Sequence, residues 1–348
     1  MKKLVSIIIV NWNGKNFLPK CLSSLFTQDY KNFELIFVDN ASIDGSVDYV
    51  HKNYSKAKVI VNKKNLGYAE GNNIGYKKAK GDYVLFLNND TKVTKNFLTE
   101  LVSVLESDSE IGGAQSKLLL MDSPSKLDCV GAYLTLTGFL YYYGIFKRNS
   151  SLYNSQIYLY TAKGASMIFK RNVLEKIKLK GRLLDERYFA YFEETDMCHR
   201  VWLAGYKIVF APNSIIYHKM GGTSMKLNNT FVQYHSFKNR INCYIKNLGI
   251  WQLIKILPIH LLVCEIYALS LLRYKPSLAL SIQKSIMWNV LNLKETLKLR
   301  KIVQRKIRKQ KDKEIFKFIY KHPRVTYYYH INNLDKFKDS DFLYKYEI

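Results

Sequence analysis

Cysteine and proline are scarce in this sequence, and the cysteine pattern excludes two classes of protein. The 348 residues contain five cysteines and six prolines, and no two cysteines are spaced as C-x-x-C. An odd number of cysteines without such pairs argues against a disulfide framework and against a zinc ribbon. We therefore expect a protein of a reducing compartment, and its 48% share of apolar residues is enough to build a core without staples.

Acidic residues are also scarce, which points to a polyanionic partner. The chain has 28 Asp and Glu against 54 Lys and Arg, a formal net charge of +26. Such an excess suits nucleic acid, an acidic membrane face or phosphate-bearing substrates. Nucleic acid is the weaker interpretation, because the charge is concentrated near the C-terminus and no aromatic-basic recognition motif is present. We therefore expect no nucleic-acid partner.

Long apolar runs free of charges are lacking as well. The first run, residues 4–10, is short and has no small-residue cleavage site after it, so we expect a buried strand rather than a signal peptide. Residues 250–272 are apolar but are interrupted by Lys255, Pro258, His260 and Glu265. These interruptions argue against a membrane span.

Two long helical segments, 250–272 and 278–299, precede a basic run at 298–313. We expect residues beyond about 240 to form a helical, basic extension that binds an anionic membrane surface without spanning it. This predicts a cytoplasmic protein, peripheral on the inner face of the plasma membrane. A solvated helix face and a homo-oligomer interface are the alternatives.

Strands and helices alternate over the first hundred residues. Apolar runs at 5–10, 33–38, 59–61 and 83–87 predict strands. Apolar residues at three-and-four spacing predict a helix from about residue 17, and a second helix, containing glycines, is expected over 68–79. This alternation predicts an α/β fold with a mostly parallel sheet flanked by helices.

Polar clusters follow three of these strands. They are Asn11-Trp12-Asn13-Gly14, Asp39-Asn40 and Asn88-Asn89-Asp90. Ligands of parallel α/β sheets bind beyond the carboxyl ends of the strands. The three clusters therefore predict one site at one edge of the sheet.

The second half of the chain is less legible. Residues 111–155 show no clear period, whereas 162–169 predict a strand around Gly164 and 172–177 a short helix. Glu193-Glu194-Thr195-Asp196 predict a helix start, with Gly205 as its end. Simple capping is the alternative role of these acids. Two short strands are expected at 206–210 and 215–218, separated at Pro212.

Taken in order, several of these segments resemble the inverting family 2 glycosyltransferases, and within them the bacterial rhamnosyltransferase-like branch. The resemblance covers residues 4–240 and rests on the segments at 5–14, 38–42, 65–69, 87–90, 163–168 and 184–196, and on His218 followed by Gly221-Gly222-Thr223-Ser224. It implies a GT-A fold, with a nucleotide-binding half at 1–110 and an acceptor or catalytic half at 111–240. It also implies a nucleotide-sugar donor, such as dTDP-rhamnose or a UDP-sugar, and Mg²⁺ or Mn²⁺.

The resemblance also assigns site residues. Asp90 fills the last position of the family's acid-x-acid motif, whose first position here holds Asn88, and His218 matches a late metal-ligating histidine. Glu194 stands where the family usually has an aspartate base, with Glu193 as the fallback and Asp196 as a neighbour that orients the helix or the acceptor. The implied nucleotide-binding residues are Val10, Asn11, Asn13, Asp39, Asn65, Leu66, Gly67, Asn72 and Asn89.

These assignments predict an inverting transferase that builds a surface polysaccharide or a lipid-linked glycan. Hard cations prefer carboxylate and phosphate oxygens, which suits a carboxylate such as Asp90 beside a diphosphate. A non-catalytic nucleotide-sugar binder is the alternative, because Asn88 and Glu194 both depart from the usual pattern.

Overall fold

The computed structural model describes residues 2–222 and 227–322. Its strands are β1 Val5–Asn11, β2 Phe33–Asp39, β3 Lys58–Val61, β4 Tyr83–Leu87, β5 Thr91–Val93, β6 Ile111–Leu120, β7 Ser123–Cys129, β8 Gly131–Tyr133, β9 Tyr141–Tyr143, β10 Ser166–Lys170 and β11 Lys207–His218. Its α-helices are α1 Leu18–Phe26, α2 Ser46–Asn53, α3 Gly67–Lys78, α4 Phe97–Ser107, α5 Arg171–Lys176, α6 Glu193–Leu203, α7 Asn229–Asn247, α8 Ile250–Leu271, α9 Pro276–Leu291, α10 Leu293–Ile302 and α11 Asp312–Ile319.

The first four strands form the parallel half of the main sheet. The strand order is β3-β2-β1-β4-β10-β6-β11-β5, with β7 paired to β6. β1 lies parallel between β2 and β4, and Asn11 at its end is in register with Asp39 at the end of β2. The carboxyl ends of these strands therefore meet at one edge, as the sequence predicts.

The second half of the sheet is mixed and contains the strands that the sequence hides. β10 runs antiparallel to both β4 and β6, while β6 and β11 are parallel. β6 lies in the region without a clear period, because its middle carries Gln115, Ser116 and Lys117, all of them buried. An alternation of apolar and polar residues cannot show a strand whose buried positions are themselves polar.

Three element predictions are wrong in their bounds. The strand expected over 162–169 is formed only by β10, Ser166–Lys170. The two strands expected on either side of Pro212 are a single strand, β11, whose pairing with β6 shifts register between Ala211 and Ile215. The helix expected over 278–299 is broken at Asn292 into α9 and α10.

Helix α7 ties the C-terminal helices to the sheet domain. It packs on α6, α8, α9 and α10 and buries a run of polar residues, including Lys238, Asn239, Arg240 and Lys246. Helix α7 also continues across residue 240, where the sequence predicts a boundary between a domain at 1–240 and an extension at 241–348. This division into two parts stays a prediction. All five cysteines are free and buried.

Part of the basic run serves the fold. The guanidinium of Arg300 donates to the carbonyls of Ile245 and Leu248, and that of Arg308 donates to the carbonyl of Asn247. Carbonyls at a helix C-terminus lack partners within the helix, and these arginines supply them. Arg300 and Arg308 are therefore partly committed to holding the end of α7.

Helix α8 presents an exposed apolar face. The exposed side chains recur at helical spacing and include Trp251, Ile254, Leu262, Ile266, Leu269 and Leu272. By length and composition α8 is also long and apolar enough to cross a membrane, with a mean hydropathy of 1.7 over its most apolar window. Core helices of soluble proteins can have the same length and composition.

Candidate active site

The ends of β1, β2 and β4 are joined by a network of buried polar side chains. The amide of Asn11 donates to Asp39 Oδ2 at 2.9 Å, and the amide of Asn89 donates to Asn11 Oδ1 at 2.6 Å. Asp39 Oδ1 accepts the backbone N–H of Ser42 at 2.7 Å. A Cβ on Gly14 would lie 2.2 Å from the Asn89 amide nitrogen, so this glycine lets the network close.

The other expected nucleotide-binding residues line the same edge. Asn13 accepts the Ile43 N–H at 2.9 Å, and Asn65 accepts the N–H of Gly67 at 2.9 Å. Gly67 has φ +78°, and a Cβ there would lie 2.3 Å from the carbonyl oxygen of Phe189. Val10 contacts the glycine face of α3, where a Cβ on Gly71 would meet it at 2.7 Å.

Two more residues of this set lie near Gly67, one just before α3 and one within it. Leu66 immediately precedes the helix, and the Asn72 amide donates to the carbonyl of Tyr68 at 2.9 Å. The structure therefore places Val10, Asn11, Asn13, Asp39 and Asn89 at one sheet edge, and the Asn40 amide joins the start of α3 to it by donating to the carbonyl of Gly67 at 3.0 Å. The contact of Asn72 is within α3.

Asp90 and His218 come together because β5, which begins directly after Asp90, pairs with β11 and sets Thr91 in register with His218. Asp90 follows β4, His218 ends β11, and Asp90 Oδ1 lies 3.3 Å from His218 Nε2. That oxygen is buried and has no hydrogen-bond partner within the described residues. On the far side of the imidazole, His218 Nδ1 lies 2.5 Å from Asp128 Oδ2.

This pair fits a divalent cation. Two neighbouring ligands of an octahedral ion at 2.0–2.1 Å are about 3 Å apart, close to the observed 3.3 Å. Mg²⁺ and Mn²⁺ commonly take one or two protein carboxylates and complete their shell with water and substrate phosphates. Within residues 2–222 and 227–322 no cluster holds three or more metal-ligating side chains, so a diphosphate would have to supply further ligands.

The remaining parts of the predicted metal motif are placed less completely. Asn88 directly follows β4, and its backbone N–H donates to the carbonyl of Ala165 at 3.1 Å. Gly222 packs closely on Asp90, since a Cβ there would lie 2.7 Å from Asp90 Oδ2. Thr223 and Ser224 lie outside the described residues.

The acids at the start of α6 follow a strained turn. Tyr191 and Phe192 both have φ near +70°, the left-handed region that bulky residues rarely adopt. The amide of Asn239 on α7 donates to the carbonyls of Ala190 and Tyr191 and holds this turn. Such strain persists where the surroundings fix it, and it clusters at functional sites.

Glu193 and Glu194 each keep a buried carboxylate oxygen, Oε2, without a hydrogen-bond partner among the described residues. Burial and the charge of Glu194 raise the pKa of Glu193 well above its ordinary value. Burial also raises the pKa of Glu194, although backbone N–H groups and the charge of Lys163 oppose that effect. A carboxylate with a raised pKa and a free oxygen is suited to accept a proton.

Asp196 differs from its two neighbours because both of its oxygens are engaged. Oδ1 lies 3.0 Å from Lys246 Nζ, and Oδ2 lies 3.1 Å from the guanidinium of Arg200. The amide of Asn247 also donates to Oδ1 at 2.9 Å. Asp196 therefore holds α6 against α7, and its oxygens are not available to a substrate hydroxyl.

Tyr68 connects the metal pair to the acids. Burial and the charges of Glu193, Glu194 and Asp90 raise the pKa of its hydroxyl well above its ordinary value. The hydroxyl donates to the carbonyl of Gly164 at 2.8 Å. The Thr161 hydroxyl donates to Thr195 Oγ1, next to Glu194, at 3.2 Å. Residues distant in the chain thus converge on one region.

Sequence reasoning missed three contributors to this site. Asp128 lies on a strand whose sequence, Ser-Pro-Ser-Lys-Leu-Asp-Cys, has no recognisable pattern. Lys163 lies in the segment 163–168, which is part of the family resemblance, but the resemblance assigns no role to Lys163. Asn239 lies in α7. The only sequence signal for its role is a polar residue in a helix that packs on its neighbours.

With the geometry established, known proteins can be compared. Residues 6–117 match the family model described as Glycosyl transferase family 2. The match supports family 2 for this segment. A Haemophilus influenzae protein described as an uncharacterized glycosyltransferase is 37% identical over 109 residues, 31% of this chain and 36% of that relative. The chain thus spans only about a third of that relative's length.

A second glycosyltransferase of Haemophilus influenzae is matched more fully. It is 24% identical over 272 residues, which are 73% of this chain and 80% of that protein. The similarity to glycosyltransferases therefore extends well beyond the residues of the family model.

Solved structures give the fold. S. aureus TarS in complex with UDP-GlcNAc has a TM-score of 0.56 at 18% identity, covering 87% of this chain and 86% of TarS. A mannosyltransferase from Pyrobaculum calidifontis, in complex with GDP-Man and Mn²⁺, has a TM-score of 0.52 at 16% identity, covering 84% and 88% of the two chains. These likenesses confirm the GT-A fold, and the helical C-terminal extension is present as expected.

Proposed function

We propose that the protein is an inverting glycosyltransferase that moves a sugar from a nucleoside-diphosphate donor to a hydroxyl group of a surface polysaccharide or a lipid-linked glycan. The observation that carries the proposal is the convergence of Asp39, Asp90 with His218, and the free oxygen of Glu194. The family 2 match and the nucleotide sugars bound by the solved neighbours support it.

Each part of the site has a role in this reaction. The edge formed by Asn11 and Asp39 binds the nucleoside, and Gly67 lets the start of α3 pack closely on the backbone of Phe189. The acceptor oxygen attacks the anomeric carbon as the bond to the diphosphate oxygen breaks, and its proton passes to Glu194 Oε2. One displacement of this kind inverts the configuration at that carbon.

Asp90 and His218 would hold the divalent cation, Mg²⁺ or Mn²⁺, which when bound neutralises the charge that develops on the leaving diphosphate. The free oxygen of Asp90 faces the nitrogen of His218 that a cation would use. Asp196 acts only by positioning α6, because its oxygens are already paired.

The donor can be identified by screening UDP-, dTDP- and GDP-sugars for release of the nucleoside diphosphate, with dTDP-rhamnose included to test the rhamnosyltransferase-like branch. We expect transfer by the wild type, a product of inverted anomeric configuration by NMR, and a strong loss in Asp90→Ala. Glu186→Gln is the control for loss of a surface carboxylate, because Glu186 is exposed and forms an ion pair with Arg182. Wild-type rates in Asp90→Ala, or a product of retained configuration, would contradict the mechanism.

We further propose that the apolar face of α8 lies on an anionic membrane surface. Its side chains include Trp251, 76% exposed, and Leu269, 64% exposed. Apolar side chains buried at the headgroup boundary together with nearby Lys and Arg favour anionic lipid. This would place the enzyme at the inner face of the plasma membrane, beside a lipid-linked acceptor.

Cosedimentation of the full-length protein with phosphatidylglycerol vesicles tests this proposal. We expect the double variant Trp251→Glu with Leu269→Glu to lose binding, and Leu152→Glu, an exposed apolar site away from these helices, to keep it. If the double variant bound vesicles as well as the wild type but changed from oligomer to monomer by light scattering, the face would be a homo-oligomer interface instead.

A further inference from the structure

A chain of polar side chains links the candidate metal pair to the acidic helix start. Asp128 is fully buried and contacts two residues, with Oδ2 on His218 Nδ1 at 2.5 Å and Oδ1 accepting from the ammonium of Lys163. The segment that carries Lys163 also contacts the start of α6, because the Thr161 hydroxyl donates to Thr195 Oγ1 at 3.2 Å. The order of the chain is therefore Asp90, His218, Asp128 and Lys163, with the start of α6 beside it.

The loop that carries Lys163 is itself fixed. Its backbone N–H donates to Gln115 Oε1 at 2.6 Å, and the next carbonyl, that of Gly164, accepts the Tyr68 hydroxyl at 2.8 Å. Gln115 is fully buried in the central strand β6. The backbone of this loop is thus held by β6 and by α3, and the ammonium of Lys163 contacts Asp128.

We propose that Asp128 and Lys163 are positioning residues for the cation site, which rests on the proposed function. By accepting a hydrogen bond from Nδ1–H, Asp128 fixes the tautomer in which the lone pair of His218 Nε2 would be available to a cation. Lys163 holds the carboxylate of Asp128 in that orientation through its other oxygen, so the pair sets how tightly the site holds a divalent cation.

The geometry favours this role over a purely structural ion pair. One oxygen of Asp128 contacts the imidazole of His218 and the other contacts the ammonium of Lys163. The second nitrogen of the imidazole, Nε2, lies 3.3 Å from Asp90 Oδ1, which has no hydrogen-bond partner among the described residues. A metal-ligating histidine commonly donates its second N–H to a carboxylate, and removal of that carboxylate typically costs 10–100-fold in metal affinity. Neither residue contacts the cation, so neither is a ligand in this assignment.

Direct Mn²⁺ titration of the full-length protein tests the proposal, with free Mn²⁺ followed by electron paramagnetic resonance. The titration is done with UDP, dTDP or GDP, whichever the wild type binds. We expect Asp128→Asn to weaken Mn²⁺ binding about 10–100-fold, with Lys163→Met weaker than wild type and Lys163→Arg restored. His218→Ala gives the loss expected for a ligand. Lys219→Met is the matched control, since Lys219 forms an exposed ion pair with Asp122 beside His218.

Thermal unfolding without metal separates folding from binding. If Asp128→Asn fails to fold, the comparison of Lys163→Met with Lys163→Arg decides. The proposal is overturned if Lys163→Met and a folded Asp128→Asn bind Mn²⁺ as tightly as the wild type while His218→Ala does not. That result would leave the proposed function intact. A wild type that binds no Mn²⁺ with any of the nucleotides would instead overturn the cation site and this proposal together.

Discussion

The polar edge of the sheet, formed by Asn11, Asp39 and Asn89, and the start of α6 differ in how their buried polar groups are paired. At the sheet edge the side chains of Asn11, Asp39 and Asn89 satisfy one another, with donor–acceptor distances of 2.6 and 2.9 Å. At the start of α6, Glu193 and Glu194 each keep a buried oxygen without a hydrogen-bond partner in the part of the chain that the structure describes. The first region is a finished scaffold for binding, and the second retains unused capacity to accept a proton.

The contrast recurs within α6 itself. Asp196 is as buried as Glu193, yet Lys246 and Arg200 neutralise it. Burial of a carboxylate is costly unless it is paired, so an unpaired one indicates a function that offsets the cost. Three acids within four positions therefore divide into two reactive candidates and one structural residue, and substitutions can test this division.

The largest expected effect is on the transfer rate of Glu194→Gln. A general base contributes typically 10²–10⁴-fold, so we expect kcat to fall by about that factor while nucleotide binding is unchanged. The change is measured as release of nucleoside diphosphate under donor saturation. Glu193→Gln is the internal control and should keep more activity. The reverse order would transfer the role of base to Glu193.

Asp196→Asn should destabilise the fold. Removing one partner of a buried ion pair costs about 3–5 kcal/mol, and Lys246 and Arg200 are both fully buried. Urea unfolding measures the loss. Asp122→Asn, which breaks an exposed pair with Lys219, should change the free energy of unfolding by less than about 1 kcal/mol. A stable but inactive Asp196→Asn would show that the residue takes part in the reaction.

Much of the polar sheet edge could be predicted from the sequence, because the pattern that marks it lies within short runs of consecutive residues. Apolar runs that end in polar residues mark buried parallel strands, and the edge where they end is then fixed by topology. Asn11 and Asp39 were expected there and lie there. The same reasoning found the helix start at Glu193, because acids before an apolar period favour a helix N-terminus.

The rest could not be predicted, because it depends on distant partners. The role proposed for Asp128 depends on its contact with His218, which is 90 positions away in the chain. The sequence of β6 shows no alternation of apolar and polar residues, because its buried positions include the polar residues Gln115 and Lys117. Likewise, nothing near Asp196 in the sequence shows that Lys246 neutralises it, so its structural role is visible only once α7 is packed.

Glu193→Gln should stabilise the protein, in contrast to Asp196→Asn. The raised pKa of Glu193 means that its charged form is disfavoured in the folded state. This penalty is absent below the pKa of the unfolded chain and grows as the pH rises toward the folded pKa. We expect a gain of about 1–2 kcal/mol that is larger at alkaline than at acidic pH, by urea unfolding. A gain independent of pH would contradict the electrostatic cause.

The smallest expected effect is a shift in the pH profile of kcat/KM. A base must be deprotonated to act, so the rate should rise with pH through the raised pKa of Glu194. Lys163 lowers that pKa, and Lys163→Met should therefore move the acid limb to higher pH. The profile is measured at saturating Mn²⁺, so that weaker cation binding does not contribute. Lys178→Met, which removes a charge paired with the remote Glu175, should leave the limb in place. Because a lost structural contact would lower the rate at every pH, a displaced limb identifies the charge of Lys163 as the cause.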